Sequence, residues 1–333
     1  MHMADALVSP AVAGTMWVAG GLVLGYGLHK IKKSLPEQQL PLMGVLGAFV
    51  FAAQMLNFTI PGTGSSGHIT GALLLSALLG PAAGFVTLAL VLLIQALFFA
   101  DGGLLAYGCN LINMGFYTCF IMYPLIFKPL VRHGTQYLLP AALLTCVAGL
   151  QLGAFSVVLE TLASGITALP FTTFLLLMQP IHLAIGAVEG AVTAAVLHFV
   201  WQARPELFQE RYGAATKNSL SLGGLVKVFA VAAVVCGGIF SLFASANPDG
   251  LEWSIAKITG ATELSGGGFW QQLAAGIQGA TSLLADYSVP GFTESAWGTS
   301  VADIAGGLVT CAVCLLVGKI LTRRKAKKAV RDL

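Results

Sequence analysis

Nine apolar runs recur along the 333 residues, and they leave the chain few ways to fold. They cover 11–29, 41–57, 69–80, 81–100, 104–127, 137–159, 170–200, 223–244 and 299–320. About 20 apolar residues in a helix cross a hydrocarbon layer about 30 Å thick. Inside lipid each backbone N–H and C=O needs a partner within the protein, and a helix supplies its own. Charged residues make up 9% of the chain, whereas a soluble domain carries about a quarter. The expectation is an all-α, polytopic transmembrane helical bundle of about nine spans, multi-pass in the cell's plasma (inner) membrane. The third run is short, and Gly80-Pro81 breaks it from the fourth.

Basic residues orient the runs, because cytoplasmic loops hold the Lys and Arg excess. With the N-terminus outside, Lys30, Lys32 and Lys33 fall inside, as do Lys128 and Arg132, then Arg204, Arg211 and Lys217. Lys227 and the tail from Lys319 to Arg331 follow them, and only Lys257 is left outside. The N-terminus is thus expected outside and the C-terminus in the cytoplasm. The positive balance reports topology and gives no reason to expect a nucleic-acid partner; membrane lipids are the surroundings. The first ten residues lack a basic stretch, and no A-x-A site follows the run from Ala11, so Met1 is expected to remain the terminus.

Met1-His2 is an unusual opening. If the amino group stays free, the α-amine, the His2 amide nitrogen and His2 Nδ1 can close adjoining chelate rings on one cation. Three nitrogens then lie in a plane with one corner open, a field that suits Ni(II) or Cu(II). The plainer reading is a polar residue at a frayed terminus. The expected topology puts the loop Pro61-Gly62-Thr63-Gly64-Ser65-Ser66-Gly67-His68 on the same outer face. Its glycines and proline let it fold back tightly, and His68 becomes a candidate fourth donor. A lone histidine at the water–lipid boundary also reads as merely amphipathic.

Other polar residues stand out against the apolar background. Asn110 and Asn113, three apart, share a helix face. Amides in a lipid-spanning helix need partners, so they either orient His2 or His68 or tie neighbouring helices together. Asp101-Gly102-Gly103 reads as an outer turn. Gln179, His182, Gly186 and Glu189 form a stripe, and an acid at membrane depth is costly enough to require a function or a pairing. Gly44, Ala48 and Ala52 make a small-residue strip for close helix approach, either within the chain or by a separate membrane subunit. The six cysteines fall in apolar runs and read as small buried side chains. Cys311-x-x-Cys314 has ligand-like spacing but no second pair.

The organisation reads as a seven-span core over 1–200, a polar cytoplasmic linker over 201–222, and a two-span accessory module over 223–333 with an outer loop 245–300. Pro248-Asp249-Gly250 in that loop is an ordinary turn signal. No phosphate-binding G-x-x-x-x-G-K-[ST] loop is present, since Gly318-Lys319 precedes Ile320. Neither an H-E-x-x-H pair nor a G-x-S-x-G elbow appears. An enzyme therefore has little support. A carrier that concentrates an ion would be either a self-sufficient secondary divalent-metal permease or the partner of a separate ATPase.

Several motifs carry a resemblance: Met1-His2-Met3-Ala4-Asp5-Ala6-Leu7, the Pro61-to-Gly71 segment, Leu79-Gly80-Pro81, Phe99-Ala100-Asp101-Gly102-Gly103 and Asn110-Leu111-Ile112-Asn113-Met114. Over residues 1 to about 200 the chain resembles the NikM/CbiM family, the substrate-specific S components of energy-coupling-factor (ECF) nickel and cobalt transporters. Pro248-Asp249-Gly250-Leu251-Glu252 resembles the PDGLE module, a NikN-type small component, here fused to the core. The resemblance implies Ni(II) as transported substrate, with Co(II) the other candidate. It implies a transmembrane T component and cytoplasmic ATPase subunits as partners, with docking of the T component at the Gly44, Ala48 and Ala52 strip. It also implies a metal site of the uncapped Met1 amine, the His2 amide and imidazole, and His68.

Overall fold

The computed structural model describes residues 1–205, 207, 220–289 and 296–331. Glu206, Arg211, Lys217, Pro290 and Gly291 lie outside the described residues, as do the side chains of the tail from Arg323.

Each of the nine apolar runs forms a helix. In order they are α1 (Pro10–Ser34), α2 (Leu40–Gln54), α3 (Ala72–Leu79), α4 (Pro81–Phe98), α5 (Tyr107–Val131), α6 (Leu138–Ser164), α7 (Phe171–Ala203), α8 (Leu222–Gly238) and α11 (Ala296–Arg331). The two short helices between α8 and α11 are α9 (Gly250–Thr259) and α10 (Phe269–Thr281). Strands β1 (Phe58–Ile60) and β2 (Ser65–Gly67) form a small antiparallel hairpin, with Phe58 opposite Gly67. Local chemistry sets the boundaries. Ser9 caps α1 through Val12 N, and Pro10 follows where a missing N–H costs nothing. Lys32 and Lys33 sit in the last turn, at the negative end of the helix dipole. The middle of α5, Leu111–Phe127, is wound as a π-helix and contains Pro124.

Among the described residues, seven helices are long and apolar enough to cross a bilayer. The two that fall short of the nine-span expectation are α2, with 15 residues, and α3, with 8. Helix α2 is covered on several sides, by α4, α8 and α11, so nearly all of it is buried. Its small-residue strip is filled from within the chain. A Cβ added at Gly44 would lie 2.7 Å from Leu315, one at Gly47 would lie 2.9 Å from Cys314 Sγ, and Gly307 passes over Ala48. At Gly44 and Ala48 the strip lets α11 approach α2 closely, which is internal packing, one of the two uses the sequence left open. Cys311 and Cys314 fill that same contact as free thiols.

Helix α3 is short because the chain before it is extended. Residues 68–71 run through the buried interior, with Thr70 only 2% exposed, before the helix begins. Non-helical backbone at such depth survives only where protein satisfies it. Glu189 of α7 does so: its Oε1 accepts from Thr70 Oγ1 at 2.6 Å and from Gly71 N at 3.0 Å. Gln54 of α2 donates from Nε2 to Thr70 O at 2.8 Å. Gly71, at φ 73°, makes the entry into the helix that other residues strain to make. Gly80, at φ 88°, turns the chain so that α4 packs back on α3. Of the two readings of Glu189, pairing across the bundle is the one observed.

Replacing Glu189 with alanine orphans a buried hydroxyl and a buried N–H. The expected cost is about 1–3 kcal/mol, read as a lower unfolding midpoint in detergent, with Glu189→Gln milder because it keeps an acceptor. Equal midpoints for Glu189→Ala and the parent would contradict this assignment.

Candidate metal centre

The N-terminal segment lies folded against the core. Asn110 Oδ1 accepts from Met3 N at 2.7 Å, and Asn110 Nδ2 donates to Met3 O at 3.1 Å. Gly103 N donates to the same carbonyl at 2.9 Å, and Asp5 Oδ1 accepts from Ala106 N at 2.9 Å. Met1 is 5% exposed. Its amine sits 2.9 Å from His68 Nε2, and the His2 and His68 rings stack with centroids 5.0 Å apart. The three residues singled out from widely separated parts of the sequence thus meet in one place.

Hydrogen-bond logic assigns each imidazole's tautomer. The Thr70 carbonyl can only accept, so Gln54 presents its NH₂ there and its Oε1 to Gln95 Nε2, at 2.8 Å. Gln95 therefore turns its own Oε1 to His2 Nε2, at 3.2 Å, which must carry the proton. His2 Nδ1 is left with a lone pair. His68 Nδ1 meets Ile69 O at 3.1 Å and must likewise be N–H, so His68 Nε2 keeps its lone pair and directs it at the amine. The unprotonated nitrogens are thus His2 Nδ1 and His68 Nε2.

Electrostatics keep both rings neutral. Burial, then the positive amine, push the His2 imidazole down to about 3. Burial, the amine and then His2 push His68 down to about 3. Neutral imidazole is the metal-binding form. Two carboxyls flank the rings. Asp101 Oδ1 lies 3.1 Å from His2 Nδ1, and its Oδ2 accepts from Tyr287 OH at 2.6 Å. Burial, the dominant cause, pushes the Asp101 carboxyl up, so the acid form can donate to the His2 lone pair. Asp249 Oδ2 lies 2.6 Å from the Met1 amine. Burial alone would raise the Asp249 carboxyl, but the amine and His68, with hydrogen bonds from the amine and Glu252 N, hold it below the usual range.

A cavity of about 440 Å³ opens onto this cluster, with His2, His68, Asp101, Asp249, Glu263 and Tyr287 among its lining. Among the described residues, no three His, Cys, Asp or Glu side chains are grouped to hold a metal ion.

The remaining candidates lie elsewhere or act indirectly. Asn110 hydrogen-bonds Met3 rather than either histidine, and so holds the N-terminal segment that carries His2. Asn113 donates to Glu160 Oε2 at 2.8 Å. His182 Nδ1 bonds Met178 O within α7, at 2.8 Å. Gln54, Gln95, Asp101, Asp249 and Tyr287 went unnoticed as site residues. For the two glutamines a signal existed, an uncharged amide in an apolar helix, the same signal that picked out Asn110 and Asn113.

Residues 2–207 match the family model for CbiM, the cobalt uptake substrate-specific transmembrane region. The chain belongs to the CbiM family. Residues 223–323 match the PDGLE domain. A putative fused nickel transport protein NikMN of Archaeoglobus fulgidus is 32% identical, over 97% of this chain and 98% of its own length. A fused nickel transport protein NikMN of Rhodobacter capsulatus is 28% identical over 97% and 99%. The crystal structure of a truncated transition metal transporter superposes with a TM-score of 0.54 at 31% identity, covering 61% of this chain and 99% of that one. Seven apolar helices and these relatives make the chain a multi-pass membrane protein of a nickel and cobalt transport family.

Within this CbiM-family fold the amide relay from Thr70 to His2 is open to test. Groups that hold a ligating histidine from behind are worth about 10–100-fold in metal affinity. Gln95→Leu is expected to weaken Ni(II) binding by about that factor, and Gln95→Glu, which keeps an acceptor, by less. An unchanged affinity in Gln95→Leu would show that the relay does not set the His2 tautomer.

Proposed function

We propose that the chain captures Ni(II) from the outer face as the substrate-binding S component of an energy-coupling-factor transporter. Four nitrogens form the proposed square-planar site: the Met1 amine, the His2 amide nitrogen, His2 Nδ1 and His68 Nε2. The observation that carries this reading is the 2.9 Å approach of His68 Nε2 to the Met1 amine, with both imidazoles neutral and each free nitrogen correctly chosen. Nitrogen donors in a square favour Ni(II) over oxygen-loving Mg²⁺ or Ca²⁺. Co(II) is the other cargo that the family description supports.

Binding exchanges protons for the ion, because an ammonium and a protonated amide cannot ligate. Asp249, ionised beside the amine, balances part of the incoming charge. The nucleotide chemistry is assigned to partners, a transmembrane T component and cytoplasmic ATPase subunits, since the chain's sequence contains no phosphate-binding loop. The N-terminus outside, the C-terminus inside and the core-plus-module division at about residues 201–222 belong to the same proposal, supported by the distribution of Lys and Arg.

Acetylation of the Met1 amine keeps every side chain but removes the nitrogen from which the chelate starts. The purified chain, with its free Met1 verified by intact mass, is expected to bind one Ni(II), and the N-terminally acetylated chain to lose at least about 100-fold in affinity, the upper scale for disturbing a metal site. Equal binding by both would contradict the terminal chelate. Nickel uptake by this chain alone, without any ATPase, would favour the permease instead.

A further inference from the structure

The terminal segment is held from two directions. The core fixes Met3 and Asp5, through Asn110, Gly103 and Ala106. None of those contacts reaches residue 1. The Met1 amine has two polar partners among the described residues: His68, itself one of the proposed donors, and Asp249 Oδ2 from the PDGLE region. Without Asp249 the amine would be tied only to another ligand.

Asp249 is built to reach it. Its Oδ1 accepts from Leu251 N at 2.8 Å and Glu252 N at 2.9 Å, which caps α9. Glu252 returns the bond to Asp249 N at 2.9 Å, closing a capping box. One oxygen is thereby spent on the helix, which fixes the other on the amine. The whole turn is fastened to the hairpin that carries His68. Ser66 N donates to Pro248 O at 2.8 Å, Ser66 Oγ to Asn247 O at 2.8 Å, and Trp253 Nε1 to Thr63 O at 3.0 Å. Gly250 slots against α7, where a Cβ would lie 3.1 Å from His182 and from Ile181.

We propose that Asp249 is a positioning residue for metal capture: the PDGLE turn clamps the terminal amine beside His68, completing a donor set that the core leaves open at that corner. The inference rests on the capture reading above. Before capture the carboxylate faces an ammonium and afterwards a divalent cation, so its ion pair is exchanged rather than forfeited. What it contributes is order: the Met1 side chain is already buried in the core, and the carboxylate fixes the remaining rotation of the amine so that it points where the ion will arrive, which raises affinity by removing that cost from the binding step. This gives the fused module a role in assembling the metal site, beyond packing α8 and α11 on α2.

The test uses the full chain, with Ni(II) as probe, and compares the parent with Asp249→Ser. Serine still caps α9 but presents nothing to the amine. The expected result is Ni(II) affinity lowered about tenfold, the scale of freezing one residue. Hydrogen exchange over residues 250–259 stays unchanged, and the visible spectrum at saturation matches the parent's. Parent-like affinity would overturn the proposal. So would a shifted spectrum, which would make Asp249 a ligand itself. Should exchange rise in Asp249→Ser, Asp249→Asn carries the comparison, since asparagine caps as well as aspartate. Failure of the parent to bind Ni(II) would sink the capture reading and this inference with it, whereas a parent that binds and a serine variant that binds equally sinks the inference alone.

Discussion

The carbonyl of Thr70 cannot be left bare in an apolar interior, and much of this structure follows from satisfying it. An unpaired amide group buried in the protein costs several times the net worth of an ordinary hydrogen bond. The extended stretch before α3 therefore draws in Gln54 from α2 and Glu189 from α7. Gln54 in turn orients Gln95, and Gln95 orients His2. A requirement set by burial of backbone thus ends as the choice of which imidazole nitrogen is free. The same extended stretch carries His68, so one break in helical structure places one donor and fixes the proton of another.

The C-terminal region is joined to the core at two levels. At membrane depth α8 and α11 cover α2, with small residues on α2 admitting the side chains of α11. At the end of the bundle that carries the hairpin, the Asn247–Glu252 turn reaches over to the terminal amine, and Tyr287 reaches Asp101. Gln271 of α10 donates to Val8 O and Gln278 of the same helix to Gly102 O, so α10 also ties down the N-terminal segment and the loop after α4. The candidate site is consequently enclosed by both regions.

Much of this was legible from sequence, and the illegible parts have physical reasons. Long apolar runs and the Gly80-Pro81 break predict every helix in the bundle, because lipid leaves the backbone no alternative. Length alone does not reveal that α2 and α3 are too short to cross, since an apolar extended stretch and an apolar helix look the same in composition. Met1, His2 and His68 could be grouped because charge distribution assigned them one face. Asp249 looked like an ordinary turn residue, and as a helix cap it is one; its second oxygen matters only through a contact 248 positions away. Asp101 read as an outer turn for the same reason. A strip of small residues such as Gly44 and Ala48 marks a place where a helix can approach closely, but it does not say which helix fills it.

The central claim is that four nitrogens, one of them the chain's own amine, hold the ion. X-ray absorption at the nickel edge of the Ni(II)-loaded chain tests it most directly. The account predicts four nitrogen scatterers at a single short distance and the pre-edge feature of a square-planar ion. Six oxygen or mixed ligands in an octahedral field, or a sulfur neighbour, would contradict it.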